Sequence, residues 1–136
     1  MRFKVSTSQT GRRRDVEVVV YDCVENLQRA AARYRGEDEG EFRNAQAISQ
    51  PRFGERISAD GEVEHSFRGC GIVRLVRGQG AAILAHEMVH MALAIYREDM
   101  GRASLRDMKN EEVLCHIVSD LVRATNRKMW KIGAYS

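Results

Sequence analysis

The run AAILAHEMVHMALAIY, residues 81–96, constrains the chain more than any other. It is a stretch of apolar residues broken only by His86, Glu87 and His90. Sixteen residues are too few to span a bilayer, and a carboxylate sits among them, so the run predicts a buried helix rather than a membrane segment. At 100° per residue, with His86 at the origin, His90 falls at about 40° and Glu87 at about 100°. The three polar side chains therefore share one arc, and Ile83, Leu84, Met88, Val89, Leu93 and Ile95 surround them, which predicts a helix enclosed on most sides. A carboxylate buried there needs a partner, because leaving it alone costs several kcal/mol or a large pKa shift.

A divalent metal meets that need. Histidines at i and i+4 point the same way and can reach one ion, while the intervening glutamate reaches a water molecule beside it. A catalytic zinc takes three protein ligands, so a third must come from elsewhere. Glu111 and Glu112 open the next apolar-periodic segment, about residues 107–127, after a gap of 20 residues from His90. In that segment Val113, Leu114, Ile117, Val118, Leu121 and Val122 define an apolar stripe. Glu111 lies about 70° from its centre and Glu112 about 170°, so Glu111 is the better ligand. Glu112 and His116 belong to the solvent side, and Cys115 reads as a small core side chain.

The rest of the chain supplies a frame. RFKVS and DVEVVVYDC, the latter rich in β-branched valines, read as two strands. ENLQRAAARY places Leu27, Ala30, Ala31 and Tyr34 at helical spacing. The acidic run GEDEGE, residues 36–41, reads as a solvated loop, and Asp60-Gly61 between two short alternating runs signals a hairpin. GIVRLVRG is a further strand, ended by Gly78-Gln79-Gly80. Strands with one early helix, followed by two long helices, make an α+β chain: a small, mostly antiparallel sheet packed on three helices. At 136 residues this is one domain, residues 1–136.

Composition excludes several classes. A net charge of +3, from 22 basic and 19 acidic residues, does not indicate a nucleic-acid partner. The basic stretches GRRRD and NRKMWK, with Trp130 in the second, read as a turn and a helix end that complements its dipole. Three scattered cysteines, Cys23, Cys70 and Cys115, form neither a disulfide framework nor a cysteine zinc site. With no apolar leader in MRFKVSTSQT, the expectation is a cytoplasmic protein without a membrane partner.

HEMVH followed by NEEVLCHIVSDLV resembles the glutamate-zincin metallopeptidases, in particular their minimal single-domain intracellular and phage-borne members, the IrrE/ImmA-type regulators. The resemblance covers about residues 71–127. It implies a zincin-like fold in which His86, His90 and Glu111 bind Zn2+ and Glu87 is the catalytic carboxylate, acting on a protein or peptide substrate. It also implies that the GIVRLV strand is the one along which an extended substrate lies. Where larger gluzincins carry an aspartate four residues after the ligand glutamate, this chain has Cys115. The oxyanion-stabilising group is left open among His65, Tyr96 and Tyr135. The competing expectation is a catalytically inactive zincin-like binding or regulatory module with a structural metal closed by Cys115 or His116.

Overall fold

A computed structural model describes residues 1–35, 46–53, 56–57, 63–64 and 69–135. The acidic run at 36–41, the Asp60-Gly61 turn and His65 lie outside the described residues. The elements in order are β1 (Arg2–Thr7), β2 (Arg14–Tyr21), α1 (Val24–Arg35), β3 (Ile48–Pro51), β4 (Arg56–Ile57), β5 (Val63–Glu64), β6 (Gly69–Val76), α2 (Ala81–Met100) and α3 (Met108–Lys131). The chain is α+β, with a four-stranded sheet in the order β1-β2-β6-β3 and a separate β4-β5 pair.

The sheet is mixed. β1–β2 and β6–β3 run antiparallel, whereas the central pair β2–β6 is parallel, so the expectation of a mostly antiparallel sheet misses its middle. β2 and β6 are flanked on both sides, which explains valine-rich strands apolar on both faces. Val16, Val18, Val20, Val73 and Leu75 join Leu84, Met88, Met91, Ile95, Ile117 and Leu121 in the main core. Ala31, Ala32 and Ile48 form a small cluster on the opposite, α1 side. That side also holds a polar layer: the Arg74 guanidinium, on a residue only 4% exposed, donates to Gln50 Oε1 at 2.8 Å and to Tyr21 Oη at 2.5 Å. It lies 5.3 Å from the centre of the Tyr34 ring.

One glycine sets the distance between β3 and β6. Gly71 has φ +142°, and a Cβ there would stand 2.5 Å from the Gln50 carbonyl oxygen and 2.8 Å from Pro51 Cα. The β2–β6 register also shifts beside it, between Asp15 and Val16, so Cys70 is the extra residue of a bulge. Its buried thiol donates to the Asp15 carbonyl at 3.3 Å, and burial pushes its pKa up to about 12.

Two fastenings tie the N-terminal hairpin to the helices. Arg14 and Asp99 form a buried, forked ion pair, with side chains 3% and 2% exposed. Arg14 Nε stands 3.2 and 3.1 Å from the two carboxylate oxygens, and the Thr10 hydroxyl donates to Oδ2 at 2.6 Å. Farther along, Thr7 and Gln9 both donate to Asp120 on α3. No described helix is long and apolar enough to cross a membrane.

Candidate metal and catalytic site

α2 begins at Gly80, which offers no side-chain cap, and ends at Gly101, whose φ of +58° stops the helix while its N–H still reaches the Arg97 carbonyl. Its buried stripe is Leu84, Glu87, Met88, Met91, Ala92, Ile95 and Tyr96. His86, His90 and Val89 are exposed, so the expected enclosure is incomplete. Apolar character all round the helix does not bring cover all round when the layer above holds only four strands. The imidazoles consequently lie at a surface, open to a ligand arriving from solvent.

The two rings converge. His86 Nε2 and His90 Nε2 stand 3.2 Å apart, with ring centroids at 4.8 Å and planes inclined at 73°. Two nitrogens bound to one tetrahedral zinc at about 2.0–2.1 Å are themselves about 3.3–3.4 Å apart. The separation matches that of two ligands on one ion. The same spacing suits an N–H···N hydrogen bond between neutral rings, so the nitrogens are set to share either a proton or a metal.

Glu87 is 8% exposed, and its carboxylate is turned toward β3. The carboxylate's partner is the Ser49 hydroxyl, which donates to Oε2 at 2.8 Å. Oε1 has no hydrogen-bond partner among the described residues. Strand alternation explains the contact: Gln50 faces α1, where it donates to the Ala31 carbonyl, so Ser49 faces α2. Ser49, Pro51, Glu87, His90, Ala94 and Arg97 are among the residues lining a cleft of about 380 Å³ between β3 and α2. Ser49 was not legible as a site residue. Arg97 was missed as well, though its i+7 spacing from His90, which puts both on one helical face, is the signal that could have found it.

The other expected site residues are placed as follows. Glu111 and Glu112 are exposed on the first turns of α3. Among the described residues no group of three or more His, Cys, Asp or Glu is placed to hold an ion, so neither glutamate is gathered with the histidines. The spacing explains why. α2 runs on to Met100, carrying the chain about 15 Å beyond His90. The connection that follows is then folded on itself, with Ala103 N–H bonded to the Met100 carbonyl and Asp107 N–H to the Ser104 carbonyl. Half of the interval expected to provide a return is helix.

Cys115 is exposed rather than in the core. It lies about 160° around α3 from Ile117, which with Leu121, Thr125 and Met129 forms the buried stripe. His116 faces solvent, as expected, 3.5 Å from the Glu112 carboxylate. Tyr96 donates its hydroxyl to the Ala103 carbonyl and Tyr135 to Asn126 Oδ1, so both hydroxyls are engaged away from the cleft. The GIVRLV strand cannot carry an extended substrate: it is β6, hydrogen-bonded to β2 on one side and β3 on the other. The strand beside the cleft is β3, whose outer edge is unpaired among the described residues. Of the two basic stretches, GRRRD gives Arg14 to the buried ion pair, and Lys128 and Lys131 occupy the last turn of α3. No family profile, curated protein or solved structure matches the chain.

Proposed function

We propose that the protein is a zinc-dependent metallopeptidase that hydrolyses peptide bonds in a protein substrate, with His86 and His90 as metal ligands and Glu87 as general base. The observation that carries the reading is the 3.2 Å convergence of the two imidazole nitrogens, on a helix whose intervening glutamate lines the adjoining cleft. Zinc, when bound, supplies a Lewis acid that polarises the scissile carbonyl and brings water to nucleophilic strength near neutral pH. Glu87 takes the proton of the attacking water on a carboxylate oxygen and delivers it to the departing amine. Ser49 steers that carboxylate by holding Oε2. The substrate lies extended against the outer edge of β3, adding its backbone hydrogen bonds to those of the sheet.

Glu111 is proposed as third ligand from its spacing and its angle on α3, where it stands exposed on the first turn. A structural metal would need Cys115 or His116 to close the fourth position, and no observation favours that reading.

The test is zinc content by elemental analysis together with turnover of a peptide substrate. Glu87→Gln is expected to retain zinc and lose activity by about a hundredfold or more. His86→Ala and His90→Ala lose both. Glu111→Ala and Glu112→Ala, run alongside, decide the third ligand. A Glu87→Gln protein that cleaves like the wild type, or a His86→Ala protein with full zinc content, overturns the assignment.

A further inference from the structure

Arg97 lies in the same cleft as Glu87 and His90 but has no part in the chemistry described above. It is exposed, and its guanidinium makes no hydrogen bond or ion pair among the described residues. Glu98, the next residue on the helix, points about 100° away around it and forms no ion pair with Arg97 among the described residues. The positions one turn away in either direction are Leu93, Ala94, Met100 and Gly101, all uncharged. The nearby carboxylate of Asp99 is already committed to Arg14 and Thr10. An arginine facing a cleft with no partner among the described residues is a binding group for an anion that comes from outside.

The geometry sets where that anion would be. Seven residues separate His90 from Arg97, which places them on one helix face about 10 Å apart along the axis. Both side chains lean toward the helix N-terminus, so the separation along the axis carries over to the cleft. Between them on the same face is Ala94, also a lining residue, whose methyl group raises no wall across the floor. An extended peptide advances about 3.3 Å per residue, so the arginine falls about three residues from a bond held at the histidine pair.

We infer that Arg97 is a specificity residue that binds a substrate carboxylate about three positions from the bond cut. This rests on the peptidase reading of the same cleft. The carboxylate is either an Asp or Glu side chain or the peptide's own C-terminus, and the two sources share the chemistry that a guanidinium recognises.

The experiment uses the zinc-loaded full chain and a synthetic library of random peptides, prepared once with free and once with amidated C-termini, with cleavage sites read by mass spectrometry. The wild type is expected to cleave sites with a carboxylate within three residues of the bond about fivefold faster than matched Asn, Gln or amidated sites. Loss of the preference on amidation assigns it to the C-terminus, and its survival assigns it to acidic side chains. Arg97→Gln removes the preference and raises KM on the acidic sites with kcat little changed, whereas Arg97→Glu shifts it toward Lys and Arg. Cleavage without a carboxylate preference, or a preference untouched in Arg97→Gln, overturns this inference alone. A wild type that binds no zinc, or binds zinc and cleaves nothing, overturns the peptidase reading and this inference with it.

Discussion

Replacing Asp99 by asparagine keeps the shape of the Arg14–Asp99 pair and removes its negative charge. Arg14 is 3% exposed, and its charge would stay in the interior after losing the carboxylate it forks onto. Breaking a buried pair from one side costs about 3–5 kcal/mol, because the remaining charge stays desolvated. For a domain of this size that lowers Tm by about 10–20 °C. The pH dependence follows from the direction of the shift at Asp99. Burial pushes its carboxyl pKa up, but hydrogen bonds from Arg14 and Thr10 and the Arg14 and Arg12 charges outweigh burial and hold it below the ordinary value of 3.8. A depressed carboxyl pKa contributes stability that is complete above the unfolded-state value and is lost as pH falls through the folded one. The gap between wild type and Asp99→Asn should therefore be full near neutral pH and narrow below about pH 3.8. Urea titrations followed by circular dichroism across that range measure it. A variant within about 0.5 kcal/mol of wild type near neutrality, or a gap that persists unchanged in strong acid, refutes the reasoning. Joint replacement by Arg14→Met and Asp99→Leu should restore most of the loss, since no orphaned charge remains.

Two further predictions concern the sheet and its bulge. Gly71→Ala forces a methyl group against the backbone of β3 at a φ that side chains avoid. We expect a loss of about 2–4 kcal/mol, and a lower kcat in whatever protein remains folded, because Ser49 moves with β3; unchanged stability by chemical denaturation would contradict this. With a pKa raised to about 12 inside the bulge, Cys70 should resist an aromatic disulfide reagent at mildly alkaline pH until the protein unfolds, whereas the exposed Cys115 reacts at once. Rapid labelling of Cys70 in the native protein would show that the bulge opens.

The long-period elements were legible because periodicity survives averaging over many residues. The valines of β2, the apolar spacing of α1 and the two C-terminal helices all announced themselves in this way. β3 did not: Ile-Ser-Gln-Pro is four residues with two polar side chains and an imino acid, and only the glycine opposite it gives room for its pairing. Missing β3 meant missing Ser49, hence the partner of Glu87, and it left β6 as the apparent substrate strand. The histidine convergence could be anticipated because it depends only on helical pitch. Where Glu111 and Glu112 stand relative to the histidines could not be read, because it depends on where α2 stops. The apolar run stops at Tyr96, and the structure carries the helix on to Met100. The exposure of Cys115 has a similar origin: the stripe that α3 buries is set by its neighbours and is narrower than its apolar residues suggest.

The contacts of Thr7 and Gln9 with Asp120, and of Thr10 and Arg14 with Asp99, join segments separated by 85 to 113 positions. During synthesis on a ribosome, the opening hairpin would wait for nearly the whole polypeptide before meeting these partners. Its valine-rich second strand would meanwhile lack the helical roof that covers it in the finished molecule. Such long-range closure slows folding and prolongs the interval in which sticky strands can find one another. A nascent chain of this design should therefore depend on cellular folding assistance more than its modest size suggests.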